Sequence, residues 1–381
     1  MFNTLTQAFQ SHFFKTPLIA FAPGRINLIG EHTDYQEGFV FPAAVEKGIW
    51  VAIQKNNLPL CQLYSIDFDQ EFKFELNAFS PKKGHWATYV MGMVALLNQA
   101  GYSIPGFDMV IGGNIPVGSG LSSSAALSVA IGTALSGLFD FQIPKKSIAV
   151  YAQKSEHLFA GVNCGIMDPY ASAFGVKDKA LLLDCRTNTH EEVPVILGEY
   201  SLILVNSKVK HSLADSAYNQ RRESCEESVR ILQANFPEIK TLRDLSVADL
   251  EKVENILTPT LFPKAKHVIT ECNRVHEAAK ELKSGDLESF GTLLKASHQS
   301  LSKDFEVSCP ELDFLAEKSW ELGGVLGSRM MGGGFGGCTI NLVKNSELDA
   351  FKSQICCAYS AQFEITCEFI PVKISSGAQL V

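Results

Sequence analysis

The sequence predicts an α+β protein of two domains, and three observations carry that expectation. The chain has 381 residues, whereas a domain commonly runs about 100–200. Residues 107–139, FDMVIGGNIPVGSGLSSSAALSVAIGTALSGLF, pass from an apolar run through a glycine-rich turn into a small-residue helix. Beyond residue 200, amphipathic helical stretches alternate with short β-like runs.

Composition narrows the class. Hydrophobic residues make up 46% and charged ones 19%, which is a globular rather than a disordered balance. No run approaches the roughly 20 uncharged residues of a membrane helix. The N-terminal stretch lacks a basic region, a continuous apolar core and a small-residue cleavage site, so a cytoplasmic protein is expected. A formal charge of −8 argues against a general nucleic-acid binder. Ten cysteines lie scattered without CxxC or metal-ligand spacing, and Cys356 adjoins Cys357; they read as reduced and mostly buried, with no structural zinc.

Taken in order, Phe21 to Ala44 interleaves Arg25, Asn27, Glu31, His32 and Asp34 with apolar residues and glycines. Charged groups set between segments that look buried suggest a polar pocket for a ligand with several hydroxyls, such as a sugar. A solvated loop is the plainer alternative. Glu31-His32 lacks the second histidine of an HExxH metal motif. Three β-rich runs, IWVAIQ, CQLYSI and EFKFEL, suggest a meander beside the first strand, and a helix is expected from Trp86 to Ala100. Trp86 reads first as a core anchor; its place before the strand that feeds the glycine turn leaves an adenine contact open.

In the central stretch, Phe107 to Ile111 is the expected strand, Gly113 to Gly120 the turn and Ser122 to Phe139 the helix. A helix start offers unpaired N–H groups and partial positive charge, and Gly118 and Gly120 let the backbone approach a ligand. Ser119 stands where a Walker loop needs lysine, and Ser123 occupies the last glycine of the dinucleotide fingerprint. Ser122, Ser123 and Ser124 can instead bond phosphate oxygens or a hard cation such as Mg²⁺. By itself the stretch leaves an anion site and a serine-capped helix equally open.

Downstream, Ser147 to Gly161 reads as a helix carrying Glu156 near its C-terminus, where a carboxylate is disfavoured unless a metal or solvent accompanies it. Asp168 directly precedes Pro169, the pattern of an N-cap followed by an N1 proline, and is also a candidate general base. Glu191 to Glu199 is the expected domain connection. Helices are expected over Ser212 to Phe236, Pro263 to Lys283, Leu287 to Asp304 and Glu311 to Leu322, and strands over Leu202 to Val205, Thr339 to Val343 and Gln362 to Ile370. The run GGGFGG at 332–337 is expected to form a wall of the site.

Three motifs thus stand in order: PGRINLIGEHTDY, GNIPVGSGLSSSAAL and GGGFGGCTI. On them the chain resembles the galactokinases, within the GHMP family of small-molecule kinases; EHLFAGVNCGIMDPYAS, VNSKVKHSLADSAYNQRRESCEE and SHQSLSKDFEVSCPELDFL extend the likeness over most of its length. The resemblance implies an N-terminal mixed-sheet domain of the ribosomal protein S5 domain 2 type, residues 1–192, a C-terminal ferredoxin-like α+β domain, residues 193–381, and a site in the cleft between them. It implies ATP-dependent phosphorylation of galactose at the anomeric C1 hydroxyl, giving galactose 1-phosphate and ADP, the first step of galactose catabolism by the Leloir pathway. Asp168 would be the base and Arg25 its support. Glu31, His32, Asp34, Gly165 and Tyr218 would bind the sugar. Gly118, Ser119, Gly120, Leu121, Ser122, Ser123 and Ser124 would hold the ATP phosphates, with Ser124 and Glu156 on Mg²⁺. A monomer without nucleic-acid or membrane partners is expected.

Two segments depart from the family pattern. Galactokinases commonly read Pro-Cys-Gly-Ile-Met-Asp-Gln where this chain has Asn163 to Pro169, and Asn-Gly-Gly where it has Gln36-Glu37-Gly38. The motifs leave N-acetylgalactosamine or another sugar open as the acceptor. A non-catalytic galactose sensor is disfavoured by the intact run Ser122 to Ala126.

Overall fold

The computed structural model describes residues 1–82, 84–116, 118–210 and 214–381. A six-stranded sheet organises the first half, in the order Gln379–Leu380, Leu18–Asn27, Pro42–Lys55, Phe107–Gly113, Leu60–Ser65, Gln70–Glu75. The expected meander is therefore wrong. Phe107–Gly113 inserts between Pro42–Lys55 and Leu60–Ser65, antiparallel to the first and parallel to the second. Alternating apolar residues fix which face a strand buries but not which strand lies beside it, and the intervening helix Ala87–Gln99 supplies the crossover.

Helix Ser123–Leu138 packs on this sheet through Ala126, Ala130 and Ala134, all fully buried, together with Leu127, Ile131 and Leu135. Small side chains bring its axis close to the sheet, which fixes where its N-terminus emerges. Helices Ala87–Gln99 and Lys145–Ser155 join it in the same core. A further helix, Phe2–Phe13, packs Leu5 and Phe9 against Ile19, Ala52 and Val110; it was not legible in the sequence.

The second half contains a four-stranded, wholly antiparallel sheet in the order Val325–Met331, Gly336–Lys344, Tyr200–Lys210, Glu368–Pro371. Counted along this half the order is 2-3-1-4, the ferredoxin-like arrangement. Helices Ala214–Leu232, Phe262–Ser284, Leu287–Lys303 and Pro310–Trp320 agree with the expected positions; the first was expected from Ser212, and Ser212 and Leu213 lie outside the described residues. The strand expected over Gln362 to Ile370 is corrected at its start. Gln362 and Phe363 close the helix Leu348–Phe363, whose Phe351, Ile355 and Tyr359 recur every four residues along a buried stripe, and Glu364 ends it in a left-handed conformation. The strand itself is Glu368–Pro371.

The connection near residue 192 is ordered β-structure: Thr189–Pro194 pairs with Lys179–Asp184 in a small sheet that also holds Phe39–Val40. The chain end returns to the first half, where Gln379 and Leu380 pair with Phe21 and Ala20. Among the described residues no helix is long and apolar enough to cross a membrane. All ten cysteines are free, seven of them buried.

Candidate active site

Residues of both halves line a cleft of about 680 Å³, bounded by Arg25, Glu31, His32 and Asp34, by the glycine turn at Gly118 and Gly120, by Ser124 and Glu156, by Gly165 and Asp168, and by Tyr218 and the run 332–337. Segments far apart in sequence thus meet on one surface.

Arg25 comes from the buried strand Leu18–Asn27. Its Nε and Nη2 donate to Oδ1 and Oδ2 of Asp168, each at 2.7 Å, and its Nη1 donates to the Gly120 carbonyl. The Arg25 N–H also donates to the Leu121 carbonyl at 3.0 Å. One residue therefore ties the candidate base to the glycine turn. Burial alone would lower the guanidinium pKa, but Asp168 and Glu31 raise it above the ordinary value, so the charge is permanent.

Asp168 corrects one expectation. Its helix is Met167–Phe174 with Ile166 at N-cap, so Asp168 lies inside the first turn and Pro169 follows it, and no side chain caps the helix. The carboxylate turns to Arg25 instead, because a bidentate charged partner outweighs a backbone N–H. Each oxygen accepts one guanidinium N–H and keeps a further lone pair for the cleft.

Gly118 and Gly120 adopt positive φ, 73° and 68°. Ser122 is also left-handed, at φ 57°, and makes no side-chain cap, so the helix begins at Ser123 rather than Ser122. The serine-cap alternative is thereby removed. The Ser119 hydroxyl is buried and has no hydrogen-bond partner among the described residues. Ser119 does not itself line the cleft, and a hydroxyl buried at a turn without a partner has a donor to spare for a bound acceptor. Leu121 is a core residue, and Ser123 is exposed at the first helical position.

Glu156 opens a π-helical turn, Glu156–Ala160, closed by left-handed Gly161. Its carboxyl is buried and accepts hydrogen bonds from the Ser124 hydroxyl and the Cys164 thiol; burial first, then Asp168, push its pKa to about 7. Among the described residues no three histidine, cysteine or acidic side chains converge as a protein-only metal site. A hydroxyl beside a carboxylate nevertheless fits Mg²⁺, which takes oxygen ligands and commonly completes its shell with phosphates and water.

On the side of the polar segment 25–34, Glu31 Oε1 accepts the Gly332 N–H at 2.8 Å and Arg329 Nη2 at 3.2 Å. His32 donates from Nε2 to the Gly333 carbonyl at 3.2 Å; Nδ1 is therefore the acceptor for the Tyr35 hydroxyl at 2.9 Å. Burial and nearby His267 hold its pKa down at about 3, so the ring is neutral. Asp34 is pushed to about 7 by burial and then by Asp168. The Tyr218 ring centroid lies 5.2 Å from that of His32, and burial keeps its phenol protonated as a donor. Trp86 is not brought into the cleft: its indole N–H donates to Gln70 at 3.3 Å within the first core.

Three buried ionisable residues that support this site were missed from sequence. Arg329, fully buried, donates Nε to the Leu28 carbonyl at 2.8 Å and Nη2 to the Asn27 carbonyl. His267 donates Nε2 to the Glu31 carbonyl at 3.1 Å. Glu271 accepts the Gly30 N–H at 3.0 Å and the Arg274 Nε at 2.6 Å, and its pKa falls to about 2 because Arg274 and His267 outweigh burial. A signal was present: an arginine inside the apolar run VLGSRMM, and His267 and Glu271 four residues apart on the stripe that carries Val268, Cys272 and Val275.

Comparison with known proteins places the chain among sugar and small-molecule kinases. A galactokinase galactose-binding signature matches residues 7–55, the GHMP kinases N terminal domain matches 88–176, and the GHMP kinases C terminal domain matches 278–361. The galactokinase of Fusobacterium nucleatum is 42% identical over 364 residues, 94% of this chain and 93% of its own length. That of Clostridium perfringens is 41% identical over 381 residues, 98% of each chain. The crystal structure of Lactococcus lactis galactokinase complexed with galactose is 38% identical and superposes over the whole of both chains with a TM-score of 0.97. The mevalonate kinase of Methanococcus jannaschii, at 17% identity and a TM-score of 0.68 over 95% of this chain, shares the fold.

Proposed function

The chain belongs to the galactokinase family of GHMP kinases, and from that membership we infer how its residues carry ATP-dependent phosphorylation of galactose to galactose 1-phosphate and ADP. The observation that carries the inference is the position of Arg25, shared between Asp168 and the Gly120 carbonyl.

We propose that Asp168 accepts the proton of the C1 hydroxyl as its oxygen attacks the γ-phosphorus, while the bond from that phosphorus to the β-phosphate oxygen breaks. Arg25 keeps the carboxylate oriented and holds positive charge beside the group in transit. Phosphoryl transfer asks little covalent chemistry of the protein, so alignment and charge stabilisation dominate. The glycine turn and the N-terminus of Ser123–Leu138 offer N–H groups to the phosphates, with the Ser119 hydroxyl as a further donor. Ser124 and Glu156 are the residues that would hold Mg²⁺, which when bound neutralises phosphate charge. That assignment is supported by a surplus of carboxylates: Glu31 is paired with Arg329, and among the described residues of the cleft Asp34, Glu156 and Asp168 are left to Arg25.

Glu31, Asp34 and Tyr218 supply acceptors and a donor for sugar hydroxyls, while His32, both of whose ring nitrogens are engaged by Gly333 and Tyr35, sets the wall beside them. We place the reaction in the cytoplasm, in a monomer. A coupled ADP-release assay with a panel of sugars, run with and without Mg²⁺, tests this reading. Turnover is expected with galactose and Mg²⁺; comparable kcat/KM for N-acetylgalactosamine would overturn the narrow substrate assignment.

A further inference from the structure

The turn that carries Asp34 is gripped from both halves of the molecule. Asp34–Gln36 forms one 3-10 turn, closed by left-handed Glu37, φ 54°, whose N–H returns to the Asp34 carbonyl at 3.0 Å. From the first half, Arg186 Nε donates to Glu37 Oε2 at 2.6 Å, and the Cys185 N–H donates to the Gly38 carbonyl at 3.0 Å. From the second half, the Leu242 N–H donates to Gln36 Oε1 at 3.2 Å and Arg243 Nη1 donates to the Glu37 carbonyl at 2.6 Å.

The two arginines are also crossed. Arg186 extends to Asp244 Oδ1 at 2.6 Å and Thr241 Oγ1 at 3.0 Å. Arg243 reaches back to Asp184, at 2.6 Å and 3.2 Å to its two oxygens, and its guanidinium lies over the Phe39 ring at 4.1 Å from the centroid. Each half thus supplies an arginine to a carboxylate of the other, and the turn is threaded between them. Glu37 and Arg186 do not line the cleft.

We propose that Glu37 and Arg186 are positioning residues for the sugar: the crossed pairs Arg186–Asp244 and Arg243–Asp184 clamp the turn so that His32 and Asp34 are presented in one fixed arrangement. The physical need is plain. The Asp34 carboxylate is held against Gly165, so closely that a Cβ there would overlap Oδ2, and beside the like charge of Asp168, so without restraint the turn would swing it toward solvent. An isolated exposed pair restrains little, but two arginines sharing several acceptors act as a network.

The inference rests on the assignment of Asp34 to sugar binding, and the experiment separates the two. Steady-state kinetics of Arg186→Ala and Glu37→Gln are compared with Asp34→Asn. Each clamp variant is expected to raise KM for galactose about threefold, the scale of a lost surface network contact, with KM for ATP unchanged and kcat altered less than KM. The double variant should be no worse than the more affected single one, because both remove the same contact. Arg186→Lys should recover part of the loss, and raising NaCl to about 1 M should move the unmodified protein toward the variants. A lowered melting temperature with unchanged KM for galactose would reduce the network to a stability brace and overturn the proposal. Asp34→Asn with unchanged KM would overturn the sugar assignment itself; a raised KM in Asp34→Asn alone would overturn only the clamp.

Discussion

The guanidinium of Arg25 meets the carboxylate of Asp168 edge to edge, Nε to Oδ1 and Nη2 to Oδ2, both at 2.7 Å. Asp168→Asn replaces one acceptor with an NH₂ group that faces another donor, and it removes the proposed base. Loss of a positioned general base costs about 10²–10⁴ in rate, so kcat in the ADP-release assay should fall by that order. The melting temperature should fall as well, because buried Arg25 loses its counter-charge. A variant with nearly normal turnover would show that Asp168 is only structural.

Gly165 leaves no room for a side chain, since a Cβ at this position would overlap the Asp34 carboxylate. Gly165→Ala is therefore expected to displace that carboxylate and raise KM for galactose by about tenfold, the order of one charged hydrogen bond. Isothermal titration with galactose checks it; unchanged affinity would place Asp34 outside the sugar site.

The Asp34 carboxyl has its pKa raised from 3.8 to about 7 in the folded chain, by burial and then by Asp168. A raised carboxyl pKa means the folded state holds a proton that the unfolded state releases, so stability from this group is lost as pH rises from about 4 to about 7. Asp34→Asn should match the unmodified ligand-free protein near pH 4 and exceed it above pH 7, by on the order of 4 kcal/mol. Denaturant melts across that range would show the difference growing with pH; a constant offset would contradict it.

Ser119 carries a buried hydroxyl without a partner among the described residues. Ser119→Ala should leave the ligand-free melting temperature unchanged or slightly higher, because an unsatisfied polar atom is removed. KM for ATP should rise by about tenfold if the hydroxyl serves a phosphate oxygen. An unaltered KM for ATP would remove Ser119 from the phosphate site.

Glu156 lies buried with Ser124 and Cys164 as hydrogen-bond donors to its carboxyl. In Glu156→Gln the activity should require a higher Mg²⁺ concentration for half-saturation, read from a metal titration at fixed ATP. An unchanged titration curve would refute the ligand role.

Much of the site was legible because its chemistry conflicts with its setting. Arg25, Glu31, His32 and Asp34 interrupt apolar sequence, and Glu156 stands near a helix end that disfavours it. For Asp168 the sequence offered a helix cap beside the candidate base; Asp-Pro imitates a helix start, and only the folded position of Arg25 shows where the carboxylate turns. Trp86 illustrates the converse, a tryptophan beside the right strand whose ring belongs to the core.

The amino-acid order determined the local elements that periodicity, glycine placement and charge patterning encode: the strand, turn and helix at 107–139, the helices of the second half and the polar segment at 25–34. The tertiary structure decided what those elements meet. It inserted Phe107–Gly113 between two strands of an expected meander, returned Gln379–Leu380 to the first sheet, set Arg329, His267 and Glu271 beneath the polar segment, and threaded Glu37 between Arg186 and Arg243. Side-chain periodicity records which face of an element is buried, whereas its partner is chosen by packing and by pairing of buried charges between residues hundreds of positions apart.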